Sequence, residues 1–466
     1  MRVRYLIFTF MFIAVLLNST SLFSEESKSG DKKKDEQKTQ LEEWKETLLY
    51  GIDSDVLSVL DKIKETKERS LDKLLLKTLR ETTNTDIRKA LIEIFANERN
   101  IDAYQAILKI LKNHDEELDD TVLAALDYIK RTAKEIKSDK KIKTGELEDT
   151  LKDIIDYGNS AIASSAVRAL GMVGGKSLTD YLLKKLDDAE VAESIKNSVV
   201  LALGDLKSEK AVDRLIKIVK DQDANRVLRM YACEALGKIG DKKVVPAIRK
   251  IFREKDALLK AYAASSLAMF AINKETLRIL MDGLKDSNWR VRVQSAKALA
   301  KARSPDTIPI LRYKVLNDPV KQVKVESLKA LGAIQDKKAR KIVIDVFKNR
   351  KISYMIRGEA LRILANEGLD KNLGIIKEVL NECNPRYEAK FIQTIARVLS
   401  RTKSKKDKKI LEELLDSKDP VVRIYAIRGI ALNGFKDLKY RLEEISNDDP
   451  VSSVKREART ALDKLK

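Results

Sequence analysis

Between Ala163 and Lys466 one pattern of apolar and polar positions recurs ten times, most visibly in the segments Leu228–Asp241 and Val291–Ser304. Take Arg229 and Arg292 as the reference residue of their copies. Seven places further on stands an apolar residue in every copy: Leu170, Leu203, Leu236, Leu267, Leu299, Leu331, Leu364, Ile395, Ile430 and Leu462. The next place holds Gly or Ala in nine copies, from Gly171 to Ala431, and Asp463 in the tenth. Apolar residues at this spacing define one face of a helix, and a small residue beside them lets a neighbouring helix come close. Each period also carries an upstream amphipathic stretch, such as Ala211–Lys220 or Thr276–Lys285, so the unit is helix, turn, helix.

Successive copies lie 31 to 35 residues apart. A period of that length marks stacked repeats, none of which buries its apolar face alone. Asp318-Pro319, Asn384-Pro385, Asp419-Pro420 and Asp449-Pro450 precede second helices, where Asp or Asn caps free amides and Pro suits the first turn. Weaker copies around Asp55–Leu60, Ile87–Ala96 and Thr121–Ile129 bring the number of units to about thirteen. At ordinary helix separations the stack forms a single elongated domain on the order of 100 Å long.

These copies resemble HEAT repeats, particularly the short subtype shared with phycobilisome-lyase-type repeat proteins, over most of residues 50–466. The resemblance implies an all-α fold, a right-handed superhelical α-solenoid of stacked helix pairs. It also implies a structural charge ladder, with an acidic residue in the turn and a basic one six places later. The chain has Glu190 with Lys196, Asp223 with Arg229, Glu254 with Lys260, Asp286 with Arg292, Asp318 with Lys324, and Asp449 with Lys455. Ala163, Lys351, Glu388 and Ser417 depart from the pattern, so the ladder is expected to be interrupted at each of them.

The amino-terminal segment reads differently. Arg2 and Arg4 precede an apolar run from Tyr5 to Leu17, and a polar stretch follows to Ser24, the layout of a secretory signal over residues 1–24. A retained membrane anchor is the alternative. Residues 25–40 read as a disordered polar tether, and residues 41–466 as the solenoid, with weaker repeats over 41–150 and clear ones over 151–466. The protein is therefore expected to be exported to a bacterial envelope compartment. Cys233 and Cys383 lie several repeats apart, too far to bridge. Cys233 falls in an apolar column, whereas Cys383 is expected to be exposed in a turn.

Chemistry is sparse. One histidine, His114, and two cysteines supply no metal-ligand set. The string Gly171–Ser177 lacks the first glycine of a phosphate-binding loop, since Leu170 stands there. A lyase activity would rest on the resemblance alone. The reading is thus of a protein that is not an enzyme and has no cofactor.

Charge carries the remaining information. The net charge is +20, and Lys130–Lys143 and Arg401–Lys409 read as basic loops. Projected at about 100° per residue, positions two, five and nine after the reference share the side of the second helix opposite the core. Those thirty sites hold ten basic residues (Arg168, Lys238, Lys297, Lys301, Lys329, Arg362, Lys390, Arg397, Arg428, Lys464) and five acidic ones (Asp205, Glu234, Glu326, Glu359, Glu457). Tyr231, Tyr262 and Tyr425 share the face. Second helices line the concave surface of HEAT stacks, so the resemblance implies a basic groove bearing tyrosines. An acidic protein partner is the first expectation. Anionic lipid headgroups or an anionic wall polymer, held by the Lys-rich loops, are the alternative. Export argues against nucleic acid.

Overall fold

A computed structural model of the protein describes residues 38–465. The expected signal and the expected tether up to residue 37 lie outside the described residues; residues 38–50 are helical. Among the described residues there are thirteen helix pairs and no strand. The three weaker copies correspond to the helices Asp53–Thr66, Thr85–Glu98 and Asp119–Ser138. Two compact units divide at Ser208 and Glu209, five pairs falling in the first and eight in the second.

Within each unit the second helix of a pair packs along the second helix of the next, while successive first helices meet at few points. In a curved stack the closer-spaced layer lies inside, so the second helices form the inner layer. Their apolar column is the core: Leu170 through Ile430 are all fully buried, and Leu462 is half-buried. The small column marks close approaches. A Cβ on Gly171 would lie 2.6 Å from Ala202 Cβ, and one on Gly332 would lie 2.5 Å from Ile363 Cγ2.

The caps differ from the sequence expectation at three of four places. Asp419 does accept the Val421 amide at 2.9 Å, with Pro420 as first helical residue. Asp318, Asn384 and Asp449 instead fold tight turns by accepting the amides of Val320, Arg386 and Val451. Their helices begin two or more residues later, at Lys321, Ala389 and Ser452, without a side-chain cap. Asp318 and Asp449 are each also gripped by an arginine from the preceding repeat, which leaves their carboxylates in the turn.

That grip is the ladder, and it runs from repeat to repeat rather than between the partners six residues apart. Arg292 binds Asp318 with two hydrogen bonds of 2.9 Å, while its Nη1 donates to the carbonyls of Asp286 and Ser287 in its own turn. Arg229 likewise joins Glu254 to the Val219 carbonyl, and Arg423 joins Asp449 to the Ser417 carbonyl. Lys260 reaches Asp286 at 2.9 Å, whereas Asp223 donates its amide to Asp221 within its own turn. Glu388, expected as an interruption, supplies the carboxylate for Arg357 at 2.8 Å, so the link persists in shifted form. The rung between Lys324 and Lys351 is absent. Lys324 donates to the Leu316 carbonyl at 3.0 Å instead.

Two further expectations are corrected. Lys130–Lys143 is not a loop through most of its length, because the helix Asp119–Ser138 runs through it. Arg131 pairs with Asp127, and Lys137 donates to the carbonyls of Met172 and Gly174. Cys383 is buried, not exposed; burial raises its thiol, and pushes that of Cys233 up to about 12.

Candidate protein-binding face

The inner-layer positions picked out by helical projection lie side by side within each unit, but their charges are not independent. Each of the five acidic residues meets a basic residue of the same face. Glu234 contacts Lys238 at 2.8 Å and Glu326 contacts Lys329 at 3.1 Å, each one turn apart on its own helix. Glu359 pairs with Arg362 in the same way. Arg428 reaches across to Glu457 in the next repeat at 2.7 Å, and in the first unit Arg168 meets Asp205 at 2.8 Å. The Arg428 hydrogen bond holds the Glu457 carboxyl below its ordinary range. Glu326 and Glu359 are buried, so these acids are partly covered by their own neighbours rather than displayed.

Pairing therefore redistributes the face. Lys297, Lys301, Lys390, Arg397 and Lys464 make no ion pair among the described residues, and all but the half-buried Arg397 are exposed. Lys329 and Arg362, read from sequence as free groove bases, are neutralised. The unpaired charge is concentrated on the helices Trp289–Ala302 and Ala389–Leu399, with Lys464 on Ser452–Lys464.

Around the first of these helices the face is also recessed. A cavity of about 740 Å³ is walled by the second helices Arg226–Ile239, Ala257–Leu267 and Trp289–Ala302, with Met269 just beyond and Gln322 at one end. Tyr262, Met269, Trp289 and Val293 give it an apolar lining, and Lys297 and Arg290 stand at its edge. Tyr231 meets Tyr262 edge to face at 6.4 Å, which fixes the Tyr262 ring. The Arg290 guanidinium lies 4.6 Å from the Trp289 ring. Tyr425 sits further along the face, 6.0 Å beneath Arg428. Sequence reasoning named Tyr231, Tyr262 and Lys297 but missed Met269, Trp289 and Arg290. A usable signal existed: three places before the reference, Trp289 and Tyr354 are aromatic where the other copies hold polar residues, Ala257 or proline.

No group of three or more His, Cys, Asp or Glu side chains among the described residues is placed to hold a metal ion. His114 faces Asp153 at 3.2 Å. The Gly174-Gly175 step is extended and follows the helix Ser160–Val173. Among the described residues no helix is long and apolar enough to cross a membrane.

The paired-helix stack, the small-residue contacts and the ladder define an α-solenoid of HEAT type. The chain belongs to the Spirochaete HEAT repeat protein family, whose pattern it matches over residues 48–461. Among curated proteins none matches it significantly. Similar solved structures include Kap121p, at 13% identity and a TM-score of 0.42, with 91% of this chain and 53% of that one covered. The chain thus spans about half the length of Kap121p. The CpcE–CpcF complex of phycocyanin lyase from Nostoc sp. PCC7120 is similar at 19% identity, with 62% and 94% covered and a TM-score of 0.32. An engineered protein is similar at 18% identity, with 85% and 99% covered and a TM-score of 0.32.

Proposed function

We propose that the protein is a non-enzymatic interaction scaffold of the bacterial cell envelope, binding an acidic protein partner along the second-helix face of its second unit. The observation that supports this most is the coincidence of unpaired cations with exposed aromatic and Met side chains on one inner face, since Tyr, Trp and Arg are frequent interface anchors. Extended inner surfaces of solenoids commonly serve this role. The envelope location rests on the signal-like residues 1–24. The alternative of anionic lipid or wall polymer draws on Arg401, Lys403, Lys405 and Lys406, which are exposed in one connecting segment. The pairing of Lys130 and Arg131 with Asp127, and the hold of Lys137 on backbone carbonyls, weaken the other Lys-rich stretch as a lipid contact.

The test is crosslinking in intact cells, with a photoreactive residue at Ser265 on the face, followed by mass spectrometry. The same capture is run with Lys297, Lys301, Lys390 and Arg397 reversed to Glu. Reproducible capture of one defined protein that the reversed form loses supports the scaffold. Capture of no protein by the native form rejects it.

A further inference from the structure

At the cavity bounded by Tyr262, Met269 and Trp289 three features of the inner face coincide. It is a recess, whereas the apolar column behind it is sealed. It exposes large apolar groups: Met269 is 46% and Trp289 38% exposed, although such side chains gain most by burial. Its rim carries positive charge that nothing in the unit neutralises, because Lys297 and Arg290 make no ion pair among the described residues, and neither does Lys301 one turn beyond Lys297 on the same helix. The one carboxylate at its edge, Glu234, is already held by Lys238.

We infer that this recess is the docking site for a short extended peptide segment that places one large apolar side chain between Tyr262, Met269 and Trp289 and flanks it with carboxylates. The inference rests on the scaffold reading and names what the scaffold recognises. Size fits the assignment: a cavity of about 740 Å³ is larger than one side chain and accommodates an anchor with its neighbouring backbone. Charge supplies the flanks. An extended segment advances about 3.4 Å per residue, so carboxylates three or four places from the anchor reach the Lys297 ammonium, which stands about two helical turns beyond Trp289 along Trp289–Ala302. Lysines on flexible stems at an exposed rim suit carboxylates of a passing chain and give salt-dependent association. Anchor and rim then divide the work, burial of the apolar group setting affinity and the cations setting orientation.

The probe is a fluorescein-labelled peptide of about ten residues, one phenylalanine between two runs of three glutamates, titrated by anisotropy against the whole mature chain. Controls replace the phenylalanine by serine, or the glutamates by lysines. Saturable binding of the first peptide, with either control at least about tenfold weaker, is expected, since loss of an anchor costs more than about 1.4 kcal/mol. Met269→Asp and the pair Lys297→Glu/Lys301→Glu are each expected to weaken binding about tenfold or more. The lysine pair is exposed and should leave the helical circular dichroism unchanged, so its result stands even if Met269→Asp perturbs folding. No binding, equal binding of the serine control, or undiminished binding by the lysine-pair variant overturns the inference. So does binding of phosphatidylglycerol vesicles in place of the peptide. If the crosslinked cellular partner survives Lys297→Glu/Lys301→Glu, the recess is wrong while the scaffold stands; if no protein is captured at all, both fall.

Discussion

Replacing Arg292 by methionine keeps the length and apolar volume of the side chain and removes the charge. In the native structure both Arg292 and Asp318 are buried, and the guanidinium makes two hydrogen bonds to the carboxylate and two to backbone carbonyls. Burial pushes the Asp318 carboxyl up, but the Arg292 hydrogen bonds and charge outweigh it and hold the group below its ordinary range. Without Arg292 the carboxylate is left buried, with Lys314 at 3.4 Å as its remaining cation. Breaking a buried pair from one side costs about 3–5 kcal/mol. With a urea slope of about 1–3 kcal/mol/M for a small cooperative block, the midpoint should fall by at least about 1 M. The chain contains its own control. Lys324 occupies the same repeat position but has no carboxylate partner, so Lys324→Met should cost under about 1 kcal/mol. The assay is urea unfolding followed by the fluorescence of Trp289, in a Trp44→Phe background so that the second unit alone reports. A midpoint shift in Arg292→Met no larger than in Lys324→Met would refute the claim that the inter-repeat arginine, rather than helix packing alone, fastens neighbouring pairs.

Other outcomes follow from the same geometry. Asp318 and Asp449 both have lowered carboxyls, so their contribution is present above the unfolded value of about 4 and is lost as pH falls through the lower folded value; acid unfolding monitored by circular dichroism should show this loss, reduced in Asp449→Asn. Asp407 behaves oppositely. It is fully buried with neither carboxylate oxygen hydrogen-bonded, and burial raises its pKa to about 7, so its folded form favours the proton. Stability should therefore decline between about pH 4 and pH 7 on its account, and Asp407→Asn should flatten that decline in thermal melts. Gly171→Val should lower stability by about 1–3 kcal/mol, because its Cβ would meet the backbone of Ala202 at 2.7 Å; an unchanged melting temperature would contradict the close approach. Cys233 should resist a thiol reagent in the native protein and react promptly in denaturant.

The repeat and the core column were legible in the residues, because a helix pair that touches only its neighbours writes its packing into local periodicity, whereas the inner face was an expectation from the resemblance to HEAT stacks. Leu236, Leu299 and Leu364 could be assigned to the interior from spacing alone. The charges of the face were harder. Glu234–Lys238, Glu326–Lys329 and Glu359–Arg362 lie three or four residues apart, a spacing that favours contact, but Arg168–Asp205 and Arg428–Glu457 bridge separate repeats. The ladder shows the same limit. Periodicity fixed which residues take part, yet the carboxylate Arg292 binds is that of Asp318, not that of Asp286, whose backbone carbonyl it takes instead, because stacking brings the next repeat's turn over its guanidinium. Sequence by itself determined the repeating helix pair and its buried column, since both follow from apolar spacing at about 3.6 residues per turn recurring every 31 to 35 residues. Only tertiary structure decided which cations remain unpaired and where the face opens into a recess, because both depend on side chains contributed by successive repeats about thirty residues apart.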